Sequence, residues 1–293
     1  MPSAAVNGIR LEYETFGDAG APAILLIMGL GMQLLAWPVP FCEALARHGF
    51  RVIRYDNRDI GLSSHFDHLG VPNLIWTILK SRLGLRVASG YSLDDMADDA
   101  AGLIDALGIA PAHVVGVSMG GMIAQQLAAR FAGRVRSLVS IMSTTGDRRL
   151  PPATRAAQRA LLGRPRSSDI EVLIKHYVNL YSVIGSPGFA TDPDELRARL
   201  EKSLRRSYHP QGVARQMLAI IAAGDRSSDV RAIRAPTLVI HGDRDPLVPV
   251  EGGRDTAAKV PGAKLQIVNG MGHDMAAWPV LAAAVVGHAQ AHH

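Results

Sequence analysis

One serine stands where the sequence changes from a strand-like to a helix-like pattern. The run VVGVSMGG places Ser118 between Gly116 and Gly120, after β-branched residues and before MIAQQLAARFAG. Glycines at these spacings allow a sharp turn and a close approach of strand and helix, which project the hydroxyl above a sheet. The amide of Met119 would then lie at a helix N-terminus, where unpaired N–H groups can receive an anion. Ser118 is therefore a candidate nucleophile, and Met119 a candidate donor to an oxyanion.

A serine hydroxyl is a weak nucleophile without a base, and the base needs an acid that orients it. Downstream, LVIHGDRDPLVP ends one strand-like run with Asp243 and Asp245, and IVNGMGHDMAAW ends the next with His273. The carboxyl ends of parallel strands build the sites of open α/β sheets. We expect His273 to accept the proton of Ser118 and Asp245 to hold the imidazole. Asp243 is better suited to a turn, and Asp274 to a cap of the final helix.

A second backbone donor is expected at the end of the first core strand, in LLIMGLGMQ. This turn can aim the amide of Leu30 at the space above Ser118. Gly29 and Gly31 are also compatible with an ordinary strand-to-helix turn. Since loss of one such donor costs on the order of 10²–10³ in rate, the position of the turn would be tightly constrained.

Six short runs supply the strands that would position these groups. They are rich in Val, Ile and Leu and apolar on both faces, as in a buried parallel sheet. The runs are AILLIMG, FRVIRYD, AHVVGVS, RSLVSIMS, PTLVIHGD and KLQIVNG. Helix-like runs separate them, and the clearest begins at Ser92 as a cap and stops at Gly108. With an N-terminal hairpin turning at Asn7-Gly8, the pattern predicts a doubly wound, mostly parallel α/β sheet.

The alternation of strands and helices is interrupted between residues 147 and 234, where amphipathic runs are separated by Pro and Gly. We interpret 147–234 as a helical cap inserted into an α/β core formed by 1–146 and 235–293. A second irregular segment, 65–90, is too long for an ordinary connection. Its apolar middle predicts either a buried helix or the lining of an apolar substrate entrance.

Six residues of these two segments are candidates for contact with an apolar substrate. Trp76, Ile78 and Leu79 belong to the shorter segment, and Tyr177, Tyr181 and Met217 belong to the proposed cap. Each could instead serve only in packing between helices.

The charge distribution and the cysteine content limit the kinds of binding partner and metal site that the chain can have. The chain of 293 residues has a formal net charge of +5, and the excess of basic residues falls within the cap segment. There they alternate with Leu and Glu in runs such as ELRARLEKSLRRSY, which is typical of a solvated helix face. We therefore expect no nucleic-acid partner. Cys42 is the only cysteine, which excludes intrachain disulfides and a cysteine metal cluster.

The N-terminal residues and the lengths of the apolar runs indicate where in the cell we expect the protein. No basic segment followed by an apolar stretch opens the chain, so a signal peptide is not expected. No apolar run reaches the roughly 18 residues that a membrane span needs. We expect a cytoplasmic protein with a small-molecule substrate, no membrane partner, no cofactor and no metal. The sequence is compatible with either a monomer or a homodimer.

Five motifs in order, spanning nearly the whole chain, resemble those of the α/β-hydrolase family. They are MGLG, RYDNRDIGLS, GVSMGGMIAQ, HGDRDPLVP and GMGHDM. In that family the acid lies three positions after the glycine of the fourth motif, which implies Asp245, and inserted helices form a cap domain. Met28 in place of a histidine and Asp59 in place of a glycine resemble the aclacinomycin methylesterase-like branch. That branch hydrolyses a carboxylic ester on a bulky apolar molecule, which implies a cofactor-free serine esterase acting through an acyl-enzyme.

Other chemistries share these motifs. C–C bond hydrolases, perhydrolases or haloperoxidase-like enzymes, and hydroxynitrile lyases keep the same triad and stay open as alternatives. Haloalkane dehalogenases and epoxide hydrolases carry an aspartate at the position of Ser118. A receptor that retains the pocket and the triad without turnover is the alternative from another class, since a fold does not fix a function.

Overall fold

Eight strands form a single sheet in the computed structural model, which describes residues 2–293 apart from the side chain of Arg82. The strands are β1 Ser3–Val6, β2 Ile9–Phe16, β3 Ala23–Ile27, β4 Arg51–Tyr55, β5 Ala112–Val117, β6 Val135–Ile141, β7 Thr237–Gly242 and β8 Lys264–Val268. Their order across the sheet is β1-β2-β4-β3-β5-β6-β7-β8. The pairs made by β1 with β2 and by β2 with β4 are antiparallel, and the others are parallel. The predicted doubly wound, mostly parallel sheet is confirmed.

Helices cover both faces of the sheet. They are α1 Val39–Arg47, α2 Leu74–Arg82, α3 Leu93–Ala106, α4 Met119–Arg130, α5 Arg155–Leu162, α6 Ile170–Ile184, α7 Pro193–Arg206, α8 Pro210–Ala223, α9 Ser227–Arg231, α10 Val250–Lys259 and α11 Trp278–Gln290. Alternate residues of β3 join different cores, because successive side chains of a strand point to opposite faces. Ile24 and Leu26 lie in the core beneath α1 and α11, and Leu25 and Ile27 in the core beneath α3 and α4. Within residues 2–293, no helix has the length and apolar character required to cross a membrane.

The local signals in the sequence correspond to real turns and caps. Asn7 and Gly8 have φ of 48° and 75° and connect β1 to β2, as a two-residue hairpin turn requires. Ser92 forms a capping box with Asp95 at the start of α3. Gly108, with φ of 61°, follows the end of this helix.

Helices α5 to α9 all lie between β6 and β7 in the chain. We call residues 147–234, which contain them, the helical insertion. Its first four helices supply residues to the cavities near Ser118. The last one, α9, packs against α4 in the layer beside the sheet. The predicted cap thus includes one helix that packs as part of the core layer.

Helix α2 is not the buried helix that one interpretation of residues 65–90 predicted. Its Ile75 and Trp76 side chains are 82% and 55% exposed. The helix begins after Asn73, whose side chain accepts a hydrogen bond from the amide of Trp76. One side of α2 packs against α8, and the other is open to solvent.

Candidate active site

Ser118 lies in the turn between β5 and α4. Its backbone has φ of 56° and ψ of −119°, a conformation that non-glycine residues rarely adopt and that is characteristic of a nucleophile elbow. The Ser118 amide donates to the carbonyl of Ile141 at 2.9 Å. A Cβ on Gly116 would overlap the carbonyl of Gly120, and one on Gly120 would overlap the carbonyl of Ile27. Both glycines are therefore required for the close approach of strand and helix.

His273 bridges Ser118 and Asp245. Its Nε2 lies 3.0 Å from Ser118 Oγ, and its Nδ1 lies 2.7 Å from Asp245 Oδ2. Because an ionised carboxylate only accepts, Nδ1 carries the proton and Nε2 is free to accept from the serine hydroxyl. The backbone amide of His273 donates to the carbonyl of Ile184 at the end of α6, at 2.7 Å. The structure thus brings together the three residues that the sequence predicted.

Asp245 is held in its ionised form by its surroundings. Burial works against the charge, but His273 and His241 outweigh it and hold the Asp245 pKa well below its usual range. The amides of Leu247 and Val248 both donate to Asp245 Oδ1, at 2.9 and 2.8 Å. The Nε2 of His241 lies 3.5 Å from Asp245 Oδ2. The contribution of His241 was not predicted, although its position four residues before Asp245 is visible in the fourth motif.

Asp243 and Asp274, the two other aspartates near the site, accept hydrogen bonds from neighbouring loops. Asp243 Oδ1 accepts from the amide of Gly270 at 2.6 Å, in the loop before His273. Asp274 accepts from both the hydroxyl and the amide of Ser186, which belongs to the helical insertion. The prediction that Asp274 caps the final helix is wrong, because α11 begins after Ala277. Asp274 instead links the helical insertion to the loop that carries His273.

Leu30 and Met119 lie in the wall of the cavity that contains Ser118. Gly29, next to Leu30, is so close to the nucleophile that a Cβ there would lie 3.2 Å from Ser118 Cβ. The two predicted oxyanion donors therefore belong to turns on either side of the serine.

Two buried amide side chains fix the turn that precedes the first core helix. Asn57 Nδ2 donates to the carbonyl of Met28 at 2.9 Å. Gln216 of α8 accepts from the amide of Gly31 at 2.9 Å and donates to the carbonyl of Arg58 at 2.8 Å. Gln216 is fully buried. Gln216 was not predicted, and its only visible signal is a polar residue that lies, together with Arg215, between apolar residues of α8.

The cavity above Ser118 has a volume of about 310 Å³ and walls that are mainly apolar. We call it the inner cavity. Seven of the ten methionines in the chain line it. These are Met28, Met32, Met119, Met122, Met142, Met217 and Met275. Methionine side chains adapt to irregular shapes and make favourable contacts with aromatic rings, so this wall suits a bulky apolar group.

A second cavity of about 530 Å³, which we call the outer cavity, shares part of its lining with the inner one and extends between α2 and the helical insertion. Met217 lines both cavities, Tyr181 lines the inner one, and Tyr177 and Ile78 line the outer one. Trp76 and Leu79 line neither of them, contrary to expectation. Both face solvent instead, because α2 turns a different side towards the cavity.

Charged pairs connect the helical insertion to the loop that follows β4. Arg215 of α8 donates to both oxygens of Asp59, at 2.6 and 2.7 Å, and the Tyr91 hydroxyl adds a bond at 2.9 Å. Arg206 of α7 donates to Asp56 at 2.7 Å. Burial opposes the charge of Asp59, but the bonds from Arg215 lower its pKa. Asp59 has φ of 72°, in the left-handed region that favours glycine.

Three potential metal ligands, His65, Asp67 and His209, lie near one another beside this network. The Arg215 guanidinium already donates to Asp67 Oδ1 at 3.1 Å and lies 3.0 Å from His209 Nε2. Asp67 and His209, two of the three potential ligands, thus already contact an internal cation.

Residues 22–278 match the model of the alpha/beta hydrolase fold family, and the chain belongs to this family. It is 30% identical to rhodomycin D methylesterase DauP of Streptomyces sp. (strain C5), over 99% of each chain. It is also 30% identical to a 2-hydroxy-6-oxononadienedioate/2-hydroxy-6-oxononatrienedioate hydrolase of Burkholderia vietnamiensis (strain G4 / LMG 22486), over 90% of this chain and 85% of the relative. Among solved structures, the enol-lactonase from Burkholderia xenovorans LB400 is similar, with a TM-score of 0.72, 25% identity and coverage of 99% and 100%. The predicted family resemblance is confirmed.

Proposed function

We propose that the protein is a serine hydrolase of carboxylic esters. The observation that carries the proposal is the chain of hydrogen bonds from Ser118 through His273 to Asp245 at one end of an apolar cavity. A positioned base at 3.0 Å from the hydroxyl is within the range that proton transfer requires. Similarity to methylesterases over the full length of the chain supports an ester as the substrate.

The first half of the proposed reaction forms an acyl-enzyme. Ser118 Oγ attacks the ester carbonyl while His273 Nε2 accepts the hydroxyl proton, and Asp245 stabilises the resulting imidazolium. The backbone amides of Leu30 and Met119 donate to the oxyanion of the tetrahedral intermediate. This intermediate collapses when His273 returns its proton to the departing alcohol.

The second half releases the acid. Water enters the space vacated by the alcohol, and His273 Nε2 accepts one of its protons as its oxygen attacks the acyl carbonyl. The second tetrahedral intermediate expels Ser118 Oγ, which takes the proton back from His273. Each cycle consumes one water and yields one acid and one alcohol.

For the substrate we propose a methyl ester, or an ester of another short alcohol, on a bulky and largely apolar molecule. The methionine-rich inner cavity suits flat or irregular apolar groups, and the outer cavity adds room for a larger substituent. Two relatives bear the name of methylesterases acting on rhodomycin D.

The test is active-site labelling combined with turnover. A fluorophosphonate probe should label the wild type and not Ser118→Ala, and a panel of methyl and p-nitrophenyl esters should show the same loss of turnover. Ser182→Ala is the matched control, because Ser182 is an exposed serine of α6 whose hydroxyl donates to the backbone carbonyl of Asn179. Equal labelling of Ser118→Ala and wild type, or no turnover across the whole panel, would rule out the esterase.

Hydrolysis of a C–C bond is the second candidate. Arg199 lines the inner cavity, where its charge could hold the carboxylate of a substrate such as the dienedioates named for one group of relatives. Loss of absorbance of such a dienedioate on mixing with the enzyme, without ester turnover, would favour this reaction over the esterase.

A further inference from the structure

Large apolar side chains are exposed in unusual number on and beside α2. Between residues 69 and 85, the exposed ones are Leu69, Val71, Ile75, Trp76, Leu79, Leu83 and Leu85. Elsewhere among residues 2–293 they are scattered singly: Val39, Leu62, Leu162, Val178 and Leu265. Single exposed apolar residues need no explanation, whereas a contiguous group marks an interaction surface.

The exposed residues of α2 form one stripe. Ile75, Leu79 and Leu83 follow at intervals of four, so they lie on one side of the helix. Trp76 lies beside them and is packed against Lys80, whose ammonium is 5.8 Å from the ring centroid. Thr77, in contrast, is buried. The helix therefore exposes large apolar side chains on the side that is turned away from the protein.

This stripe borders the mouth of the outer cavity. Leu74, Ile75 and Ile78 of α2 line the cavity on one side. Leu161 and Leu162, at the end of α5, line it on another. Ile75 belongs both to the exposed stripe and to the cavity wall, so the two apolar surfaces are continuous.

The two segments that frame this mouth carry positive charge only. Residues 68–91 and 148–168 contain nine Lys and Arg and no Asp or Glu, whereas the rest of the chain has four more acidic than basic residues. Arg86, Arg164 and Arg166 are among those that are exposed. The two chain segments that border this mouth thus carry an excess of positive charge.

We propose that α2 and the residues flanking it, 69–86, dock on an anionic lipid surface. An amphipathic helix with Trp and Leu on one side and Lys and Arg around it inserts its apolar side at the boundary of headgroups and acyl chains. Anionic headgroups attract the surrounding cations. A second copy of the chain is a poorer occupant, because a symmetric pair would bring the same cations face to face.

Docking would place the mouth of the outer cavity against the lipid. An apolar ester could then pass from the bilayer to Ser118 without crossing water, a consequence that rests on the proposed function. The docking surface itself does not depend on Ser118. The expectation of no membrane partner came from the absence of a spanning segment, and a helix that inserts only one side requires no span.

The test is co-sedimentation of the full chain with vesicles. Wild type and Ser118→Ala should both bind vesicles of phosphatidylcholine with phosphatidylglycerol, and bind phosphatidylcholine alone at least about tenfold more weakly, because each cation near an anionic surface contributes about fivefold in affinity. High salt should weaken binding. Emission of Trp76 should shift to shorter wavelength on binding, and Trp76→Phe should remove the shift.

Two triple variants separate the apolar from the charged contribution. Ile75→Ser/Leu79→Ser/Leu83→Ser and Arg86→Glu/Arg164→Glu/Arg166→Glu should each lower vesicle binding by about tenfold or more. All six side chains are exposed, so both variants should keep the thermal unfolding midpoint of the wild type.

The matched controls change equally exposed residues elsewhere. Val39→Ser/Val178→Ser/Leu265→Ser and Arg47→Glu/Arg231→Glu/Arg234→Glu should bind vesicles as the wild type does. The proposal is overturned if the wild type does not bind at low salt, or if these controls lose binding to the same degree. It is also overturned if sedimentation velocity shows a dimer that the Ile75/Leu79/Leu83 variant dissociates, because the occupant would then be a second copy.

Discussion

At the scale of single residues, Asp245 shows how the surroundings decide which of two carboxylates serves the histidine. Asp243 and Asp245 stand two positions apart, but Asp245 is buried beside His273 while Asp243 binds a loop amide. Two backbone amides and His241 stabilise the charge of Asp245. Its pKa is lowered accordingly, so Asp245 stays ionised throughout the neutral and mildly acidic range.

Replacing Asp245 with Asn should lower kcat for a p-nitrophenyl ester by about 10³–10⁴-fold, since the amide no longer holds His273 in the tautomer that accepts from Ser118. KM should change little, because the cavity walls remain. Steady-state kinetics at neutral pH measures both quantities. Asp243→Asn is the control and should keep kcat within about tenfold, and an equal loss in the two variants would contradict the role of Asp245.

His113 of β5 provides a residue-scale test of stability against pH. Burial, with the nearby His293 and Arg136 charges acting in the same direction, lowers the His113 pKa to about 4, from about 6.5 for an ordinary histidine. Between these values the unfolded chain binds a proton that the native state does not. The free energy of unfolding should therefore fall as pH is lowered through this window, with no further loss from His113 below about pH 4.

Urea unfolding at several pH values from about 7 to 4 measures this slope. His113→Gln, which can still bond to Ser137, should be less stable near pH 7 and lose less stability on acidification than the wild type. Parallel curves for the two proteins would show that His113 does not titrate as its burial implies.

At the scale of elements, α8 holds the turn that contains Leu30, the residue that we propose as an oxyanion donor. Gln216 links that turn to the loop after β4 through two bonds. Replacing Gln216 with Leu should lower kcat about 10- to 100-fold, less than the loss of a donor itself, with little change in KM. Steady-state kinetics with a methyl ester measures kcat and KM separately.

Gln125→Leu is the matched control, because Gln125 is an equally buried amide that bonds to Ser140 rather than to the turn. Both variants should lose about 1–3 kcal/mol of stability from unpaired partners, but only Gln216→Leu should lose kcat. If both variants lose kcat in proportion to their loss of stability, Gln216 contributes to stability but does not position the turn for catalysis.

The sequence predicted those parts of the site that depend on local pattern and chain order. The strand ends, the elbow glycines and the Ser92 cap follow from periodicity and turn chemistry, whereas the order of Ser118, Asp245 and His273 follows from the resemblance to α/β-hydrolase motifs. The side of α2 that faces solvent could not be predicted, since a helix buries whichever side its neighbour α8 covers. Gln216 was missed for a similar reason: its partners lie more than 150 positions away in the chain.

At the scale of the whole molecule, buried charge pairs hold the helical insertion over the site. Arg215 and Asp59 are both buried, and they join α8 to the loop after β4. Replacing Arg215 with Met would leave the Asp59 carboxylate buried without its cation, which typically costs about 3–5 kcal/mol. The variant should show a lower unfolding midpoint and, because the insertion loses an anchor, altered KM for a bulky ester.

The double variant Arg215→Met/Asp59→Gly isolates the cause. Glycine removes the stranded charge and accepts the positive φ of this position without strain, so the double variant should be more stable than Arg215→Met alone, although Tyr91 loses its acceptor. Chemical unfolding of the wild type, both single variants and the double variant completes the cycle. Additive losses would show that Arg215 and Asp59 act independently, and the insertion would then be held by its other contacts, such as Arg206 with Asp56.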